Sequence, residues 1–208
     1  ECSDKTDERL WQDIVRIHMT AGSYKSEETK EPGFSTIAVF DDEGKKRFLH
    51  SSIAPSKESD ILTDILEKGE GRTVIILGCG LGYHLKPLER YCTKGKIIII
   101  DILEGIDTLV RKNVSLPSST VFITGNDLEK IETEIVSTVD INEKTGFTIC
   151  EHPSSIRLFP AFYKECRKIL DRVIREKVGN LATKRKLGSI YILNIEKHTS
   201  NASSANTF

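Results

Sequence analysis

The chain has 208 residues, enough to bury a sizeable core in one domain with attachments, and its 38% hydrophobic and 29% charged content is that of an ordinary globular protein. A net charge of -1 argues against wholesale nucleic-acid binding, which leaves a basic excess. Five scattered cysteines (Cys2, Cys79, Cys92, Cys150, Cys166) without a Cys-x-x-Cys spacing favour reduced thiols in a cytoplasmic protein over a disulfide framework or a structural zinc site.

Residues 8–20 put Leu10, Ile14 and Ile17 on one helical face, with Trp11 and Val15 at its edge. Polar residues with Gly22, Pro32 and Gly33 follow, so 1–33 reads as a helix and a linker. Residues 35–40 and 47–53 flank Asp41-Asp42-Glu43-Gly44-Lys45, which predicts a β-hairpin over 34–55. Pro55-Ser56 then opens a helical pattern over 57–68 that Gly69 and Gly71 end.

The stretch from Arg72 to Asp101 organises the chain. Val74, Ile75, Ile76 and Leu77 form a continuous apolar run, as a parallel strand needs when both faces are buried. Gly78, Gly80 and Gly82 follow in a Gly-x-Gly-x-Gly turn, and glycines there allow a sharp strand-to-helix turn and close approach of a ligand. A helix over 83–91 leads to a second strand over 97–100, which ends on Asp101. That acid lies where nucleotide-binding folds hold a ribose hydroxyl. A helix over 104–113, a strand over 120–124, a helix over 128–136 and a strand over 146–150 complete a mainly parallel Rossmann-like α/β domain over 56–155. Residues 156–198 read as a basic helical extension, with a long helix over 158–177 and an interruption at Gly179-Asn180, and 199–208 as a disordered tail. No apolar run approaches the length of a membrane span, and no signal peptide is evident; the chain starts at Glu1, so a part of a longer protein is expected.

Local signals first suggest an S-adenosylmethionine site. Gly78, Gly80 and Gly82 would pass the amino-acid end of the cofactor, Asp101 would hold the ribose, and Asp127 in Gly125-Asn126-Asp127 would lie near the adenine. Against that reading, Ile75 and Ile76 stand where such methyltransferases carry an acid, and only Glu151-His152-Pro153 follows the fourth strand. The alternative is that the glycines simply make a tight turn, because a fold does not imply a ligand.

The wider sequence adds Leu49-His50-Ser51, Pro55 with Glu58, Gly80-Leu81-Gly82-Tyr83-His84, His152-Pro153 before a basic helix, Asn180-Leu181-Ala182-Thr183 and Asn194. This series resembles the N-terminal region of the motility-associated factor (Maf) flagellin glycosyltransferases and of the related 6-hydroxymethylpterin diphosphokinase MptE-like proteins, over about Phe34 to Asn194. Ile53-Ala54 replaces an aromatic-Asp pair commoner in that family, and its Gly-Pro-Ser-Leu catalytic signature is absent. The resemblance implies an accessory Rossmann-like domain of an enzyme that transfers nonulosonic acids such as pseudaminic or legionaminic acid. Flagellin would be the acceptor, a CMP-nonulosonic acid the donor, and a C-terminal catalytic domain the partner.

Gly78, Gly80, Gly82, Tyr83, His84, Asp101, Asp127 and His152 are therefore the candidate ligand-binding residues. His84 would reach a phosphate or a partner domain, or simply bond a neighbouring loop. Tyr83 reads as a packing residue over the turn. His50 has no acid placed beside it by sequence, so a Ser-His pair with Ser51 or Ser52 is disfavoured. Cys79 reads as a small buried filler. The basic run from Lys164 to Lys186 reads as a solvated helix face, and no residue cluster has metal-ligand spacing. Three functions are carried forward: the accessory domain, a methyltransferase, and a non-catalytic interaction module.

Overall fold

The structure, a computed structural model, describes residues 24–40, 45–61, 73–91, 96–139, 146–182 and 191–192. The helix expected over 8–20, the acidic turn at 41–44, the later part of the helix over 57–68, the segment 140–145 and the tail 199–208 lie outside the described residues.

Two sheets are present. Strands β1 (Lys25–Glu28), β2 (Ser35–Phe40) and β3 (Lys46–Phe48) form an antiparallel sheet in the order β1-β2-β3. β1 falls inside the expected linker. Its sequence, Lys-Ser-Glu-Glu, has poor strand propensity, and it is a strand because it pairs along the edge of β2, with Lys25 opposite Ala38 and Glu28 opposite Ser35. The hairpin is as expected, but β3 stops at Phe48.

The main sheet contains β4 (Thr73–Leu77), β5 (Ile97–Asp101), β6 (Val121–Thr124), β7 (Phe147–Glu151) and β8 (Tyr191–Ile192), all parallel, in the order β6-β5-β4-β7-β8. That is a Rossmann-like order, and its direction reverses between β4 and β7. β4, β5 and β7 are buried at every position, and Ile97, Ile98, Ile99 and Ile100 have no exposed area. β-Branched side chains suit a strand covered on both faces, and burying each isoleucine contributes about 2–3 kcal/mol.

Helices flank this sheet: α1 (Leu88–Tyr91), α2 (Ile106–Asn113), α3 (Leu128–Thr138), α4 (Pro153–Leu158) and α5 (Pro160–Ala182). One proline corrects an expected helix. A single helix over 83–91 is split into a 3-10 turn at Tyr83–Leu85 and the short α1, because Pro87 has no N–H to donate. The long helix expected over 158–177 is present as α5, which begins on Pro160, and Gly179-Asn180 does not interrupt it; the short α4 precedes it. The expected helix start after Pro55 is a 3-10 helix, Pro55–Ile61. α5 is tied to α3 by the Arg172–Glu132 ion pair and by Lys177 Nζ, which donates to the carbonyls of Val136 and Val139 at the C-terminus of α3. Arg167 of α5 pairs with the buried Glu151 at the end of β7, and Lys168 with Glu165 on its own helix. Among the described residues, no helix is long and apolar enough to cross a membrane.

Candidate functional site

The crevice where the strand order reverses is the place where open α/β sheets take ligands. Here it lies between the C-terminal ends of β4 and β7, bounded by the glycine turn and by His152, whose N–H donates to Leu77 O at 2.8 Å. Gly78, Gly80 and Gly82 adopt φ of 78°, 50° and 82°, left-handed values that explain why glycines stand there.

The space those glycines leave open is filled by the chain itself. A Cβ on Gly78 would overlap Ser155, one on Gly80 would overlap the His50 ring, and one on Gly82 would meet Val110 Cγ1 at 2.8 Å. Four backbone donors of the turn are also bonded internally. Gly78 N–H donates to Ile100 O at 2.8 Å, Cys79 N–H to Asp101 Oδ2 at 2.7 Å, Leu81 N–H to His50 Nε2 at 2.6 Å, and Gly82 N–H to Cys79 O at 2.8 Å. An anion cradle needs such N–H groups aimed outward.

Asp101, read from the sequence as a ribose-binding acid, has a different environment. It is 1% exposed; Oδ2 accepts from the Cys79 amide and thiol, and Oδ1 accepts from Leu103 N–H at 2.9 Å. Burial raises its pKa despite these bonds. The same burial, with the Asp101 charge beside it, pushes the Cys79 thiol well up, so Cys79 is an inert filler. Asp127, read as an adenine neighbour, caps α3 by accepting from the N–H groups of Glu129 and Lys130 at 3.1 Å. Tyr83 covers the turn, its hydroxyl donating to Ser35 O at 3.0 Å and accepting from Ser35 N–H at 2.9 Å, which ties the small sheet to the main one.

Three of the chain's five histidines meet at this junction. His84 and His152 stack nearly parallel with centroids 4.7 Å apart, and His50 lies 5.1 Å from His152. Glu58, from the 3-10 helix, reaches in between, hydrogen-bonded to His50 Nδ1 and 3.8 Å from His152 Nε2. The Leu81 N–H can only donate, so His50 Nε2 is unprotonated and its proton sits on Nδ1, shared with the Glu58 carboxylate. Burial and the neighbouring His152 lower the His50 pKa, with Glu58 opposing them. Burial penalises the Glu58 carboxylate too, yet the two imidazoles hold its pKa well below the usual range. His84 is fully buried with neither ring nitrogen hydrogen-bonded among the described residues, and burial keeps its pKa well below the ordinary value.

His50, Glu58 and His152 offer ligand atoms within 4.8 Å of one another, a metal-like spacing that their places in the sequence do not reveal. The tautomer of His50 opposes that use. A metal on Nδ1 would force the ring proton onto Nε2, facing the Leu81 N–H, whereas ligating histidines direct that proton to an acceptor. Ser155 Oγ lies 2.8 Å from His152 Nδ1, but the serine is 1% exposed and packed on Gly78, so no acyl group can reach it. The cluster is a buried polar strut between the small sheet, the 3-10 helix, the glycine turn and β7. Sequence reasoning named Tyr83, His84 and His152 as site residues and missed the parts played by His50, Glu58 and Ser155.

No family model and no curated protein matches the chain. Among solved structures it is similar to the Methanococcus jannaschii fibrillarin pre-rRNA processing protein, at 15% identity and a TM-score of 0.33, over 73% of this chain and 87% of that one.

Proposed function

We propose that this chain is an accessory Rossmann-like module of a motility-associated flagellin glycosyltransferase, and that its glycine turn is architecture without a cofactor. The resemblance of Leu49-His50-Ser51, Pro55 with Glu58, and Gly80-Leu81-Gly82-Tyr83-His84 supplies the family part of this reading. One observation carries the rest: the side chain of His50 occupies the front of Gly80 and accepts the Leu81 N–H. A methyltransferase calls for the opposite arrangement, an open crevice with Asp101 facing it. Asp101 is instead buried and bonded to Cys79 and Leu103. On this reading, nonulosonic-acid transfer to flagellin is performed by another domain, and a CMP-sugar is bound there.

The experiment is deletion of the coding segment in its native host, followed by intact-mass measurement of flagellin. Loss of the nonulosonic-acid mass increments, restored by the full gene, is the expected result. Fully modified flagellin in the deletion strain would overturn the family reading.

A further inference from the structure

The Leu81 N–H donates to His50 Nε2 at 2.6 Å, and both residues are buried. A carbonyl in that place would accept at any pH, whereas an imidazole nitrogen accepts only while it is unprotonated. A proton on Nε2 turns the acceptor into a second donor, aimed at the donor it was holding. This contact between the hairpin end and the glycine turn therefore exists in one protonation state alone.

The groups around the ring decide where it goes. Glu58, on the 3-10 helix, is bonded to Nδ1 and also accepts from Ser51 N–H at 2.9 Å. From the end of β7, His152 lies 5.1 Å away, and from the glycine turn Tyr83 stands edge-on at 5.0 Å. His84 stacks on His152, and the Asp101 carboxyl at the end of β5 is tied to Cys79 and Leu103. Glu58 is thus the carboxylate in contact with His50. Burial lowers the His50 pKa, and against burial the imidazoles hold Glu58 low, so the carboxylate stays an anion beside the imidazolium.

The ring also has somewhere to move. Ser51, Ser52 and Ile53 are exposed, and an open cleft of about 450 Å³ runs along His50, these three residues and Leu158. The His50 backbone stays anchored: its N–H donates to Thr36 Oγ1 at 3.1 Å and its C=O accepts from that hydroxyl at 3.0 Å. Other ties between the sheets do not depend on a histidine. The Tyr83 hydroxyl keeps both bonds to Ser35, and Ile37, Val39 and Leu49 sit in the common core.

We propose that His50 is an acid-released latch: on protonation its ring leaves Leu81, stays with Glu58 and uncovers Gly80, while both sheets remain folded and joined. The proposal rests on this hydrogen bond and its surroundings, and not on the family reading.

The test is a pH titration of the full chain, isotopically labelled in nitrogen, by nuclear magnetic resonance from about pH 7.5 to about pH 5. The shift of His50 Nε2 reports its protonation, and exchange of the Leu81 amide, corrected for its intrinsic rate, reports opening. Protection of Leu81 should fall at least ~10-fold with the midpoint of His50, while the amides of Ile98, Ile99 and Ile100 stay protected. His50→Gln keeps an acceptor that does not titrate, and should hold Leu81 protected throughout; should that variant not fold, the native chain decides by itself. A His50 Nε2 still unprotonated at about pH 5, or a Leu81 amide that stays protected through its protonation, would overturn the latch. Loss of protection at Leu81 and Ile99 together would overturn it too, because that is unfolding of the whole chain, as would an equal fall in folded His50→Gln.

Discussion

His50 Nε2 accepts the Leu81 N–H at 2.6 Å, so a side chain from the end of the hairpin stands in the crevice that the glycine turn would offer to a ligand. The bond fixes the tautomer of His50, directs its Nδ1–H to Glu58, and joins the small sheet to the Rossmann-like sheet. Four predictions follow from the geometry around it.

His50→Ala removes the acceptor of a buried N–H and the partner of Glu58 in one step. An unsatisfied buried donor and a carboxylate that has lost its imidazole hydrogen bond together cost about 2–5 kcal/mol. Urea unfolding monitored by circular dichroism should show the midpoint falling, with Glu58→Gln giving a smaller fall because its side chain can still accept from His50.

Gly80→Ala and Gly33→Ala separate backbone strain from occupancy. Both glycines have positive φ, 50° and 82°, but a Cβ at Gly33 meets nothing within 4 Å whereas one at Gly80 meets His50. Gly33→Ala should cost about 1 kcal/mol, the left-handed penalty alone. Gly80→Ala should cost about 2–4 kcal/mol, since overpacking adds to it. Equal losses in thermal melts would mean that the crevice is open.

The histidines set a pH dependence. His50 and His84 are both depressed by burial, so the unfolded chain takes up their protons first. Their contribution is full above about pH 6.5 and is lost as pH falls towards their folded values. Glu58, also depressed, withdraws its share below its ordinary value of 4.5. Asp101 acts with the opposite sign: raised by burial, its folded carboxyl takes up a proton first, adding stability as pH falls through that folded value. The urea midpoint should therefore drop between about pH 7.5 and about pH 5.5. His84→Phe keeps the stack on His152 and removes two unbonded buried nitrogens, so it should flatten this drop and stabilise the protein by about 1 kcal/mol or more. A midpoint indifferent to pH in the native chain would refute the burial of these rings.

Asp101→Asn is isosteric but leaves an amide group facing one of the two N–H donors, Cys79 or Leu103. The mismatch should cost about 1–3 kcal/mol in chemical denaturation. A surface carboxylate waiting for a ribose would tolerate the change with no loss.

Much of the main sheet was legible because the burial pattern is simple. Ile97–Ile100 can only be a strand covered on both faces, and Val74–Leu77 before the glycine turn is the same. β1 was not legible, since Lys25, Glu27 and Glu28 form a strand only through their neighbour β2. Pro87 was visible, yet the helical periodicity around it hid the break. At the site, Tyr83 and His84 announced themselves by following the glycines. His50 and Glu58 lie eight residues apart but His152 belongs to a distant segment, and no spacing rule brings the three together. Asp101 and Asp127 show the other failure: their positions suit a cofactor, while their carboxylates face backbone N–H groups that only the folded chain reveals.

Isothermal titration of the purified chain with S-adenosylmethionine, with CMP run alongside, addresses the central claim most directly. A crevice filled by His50 and Ser155 predicts no heat of binding from either ligand. Micromolar binding of S-adenosylmethionine, abolished by Asp101→Ala in a variant that remains folded, would contradict the account and make the glycine turn a cofactor site.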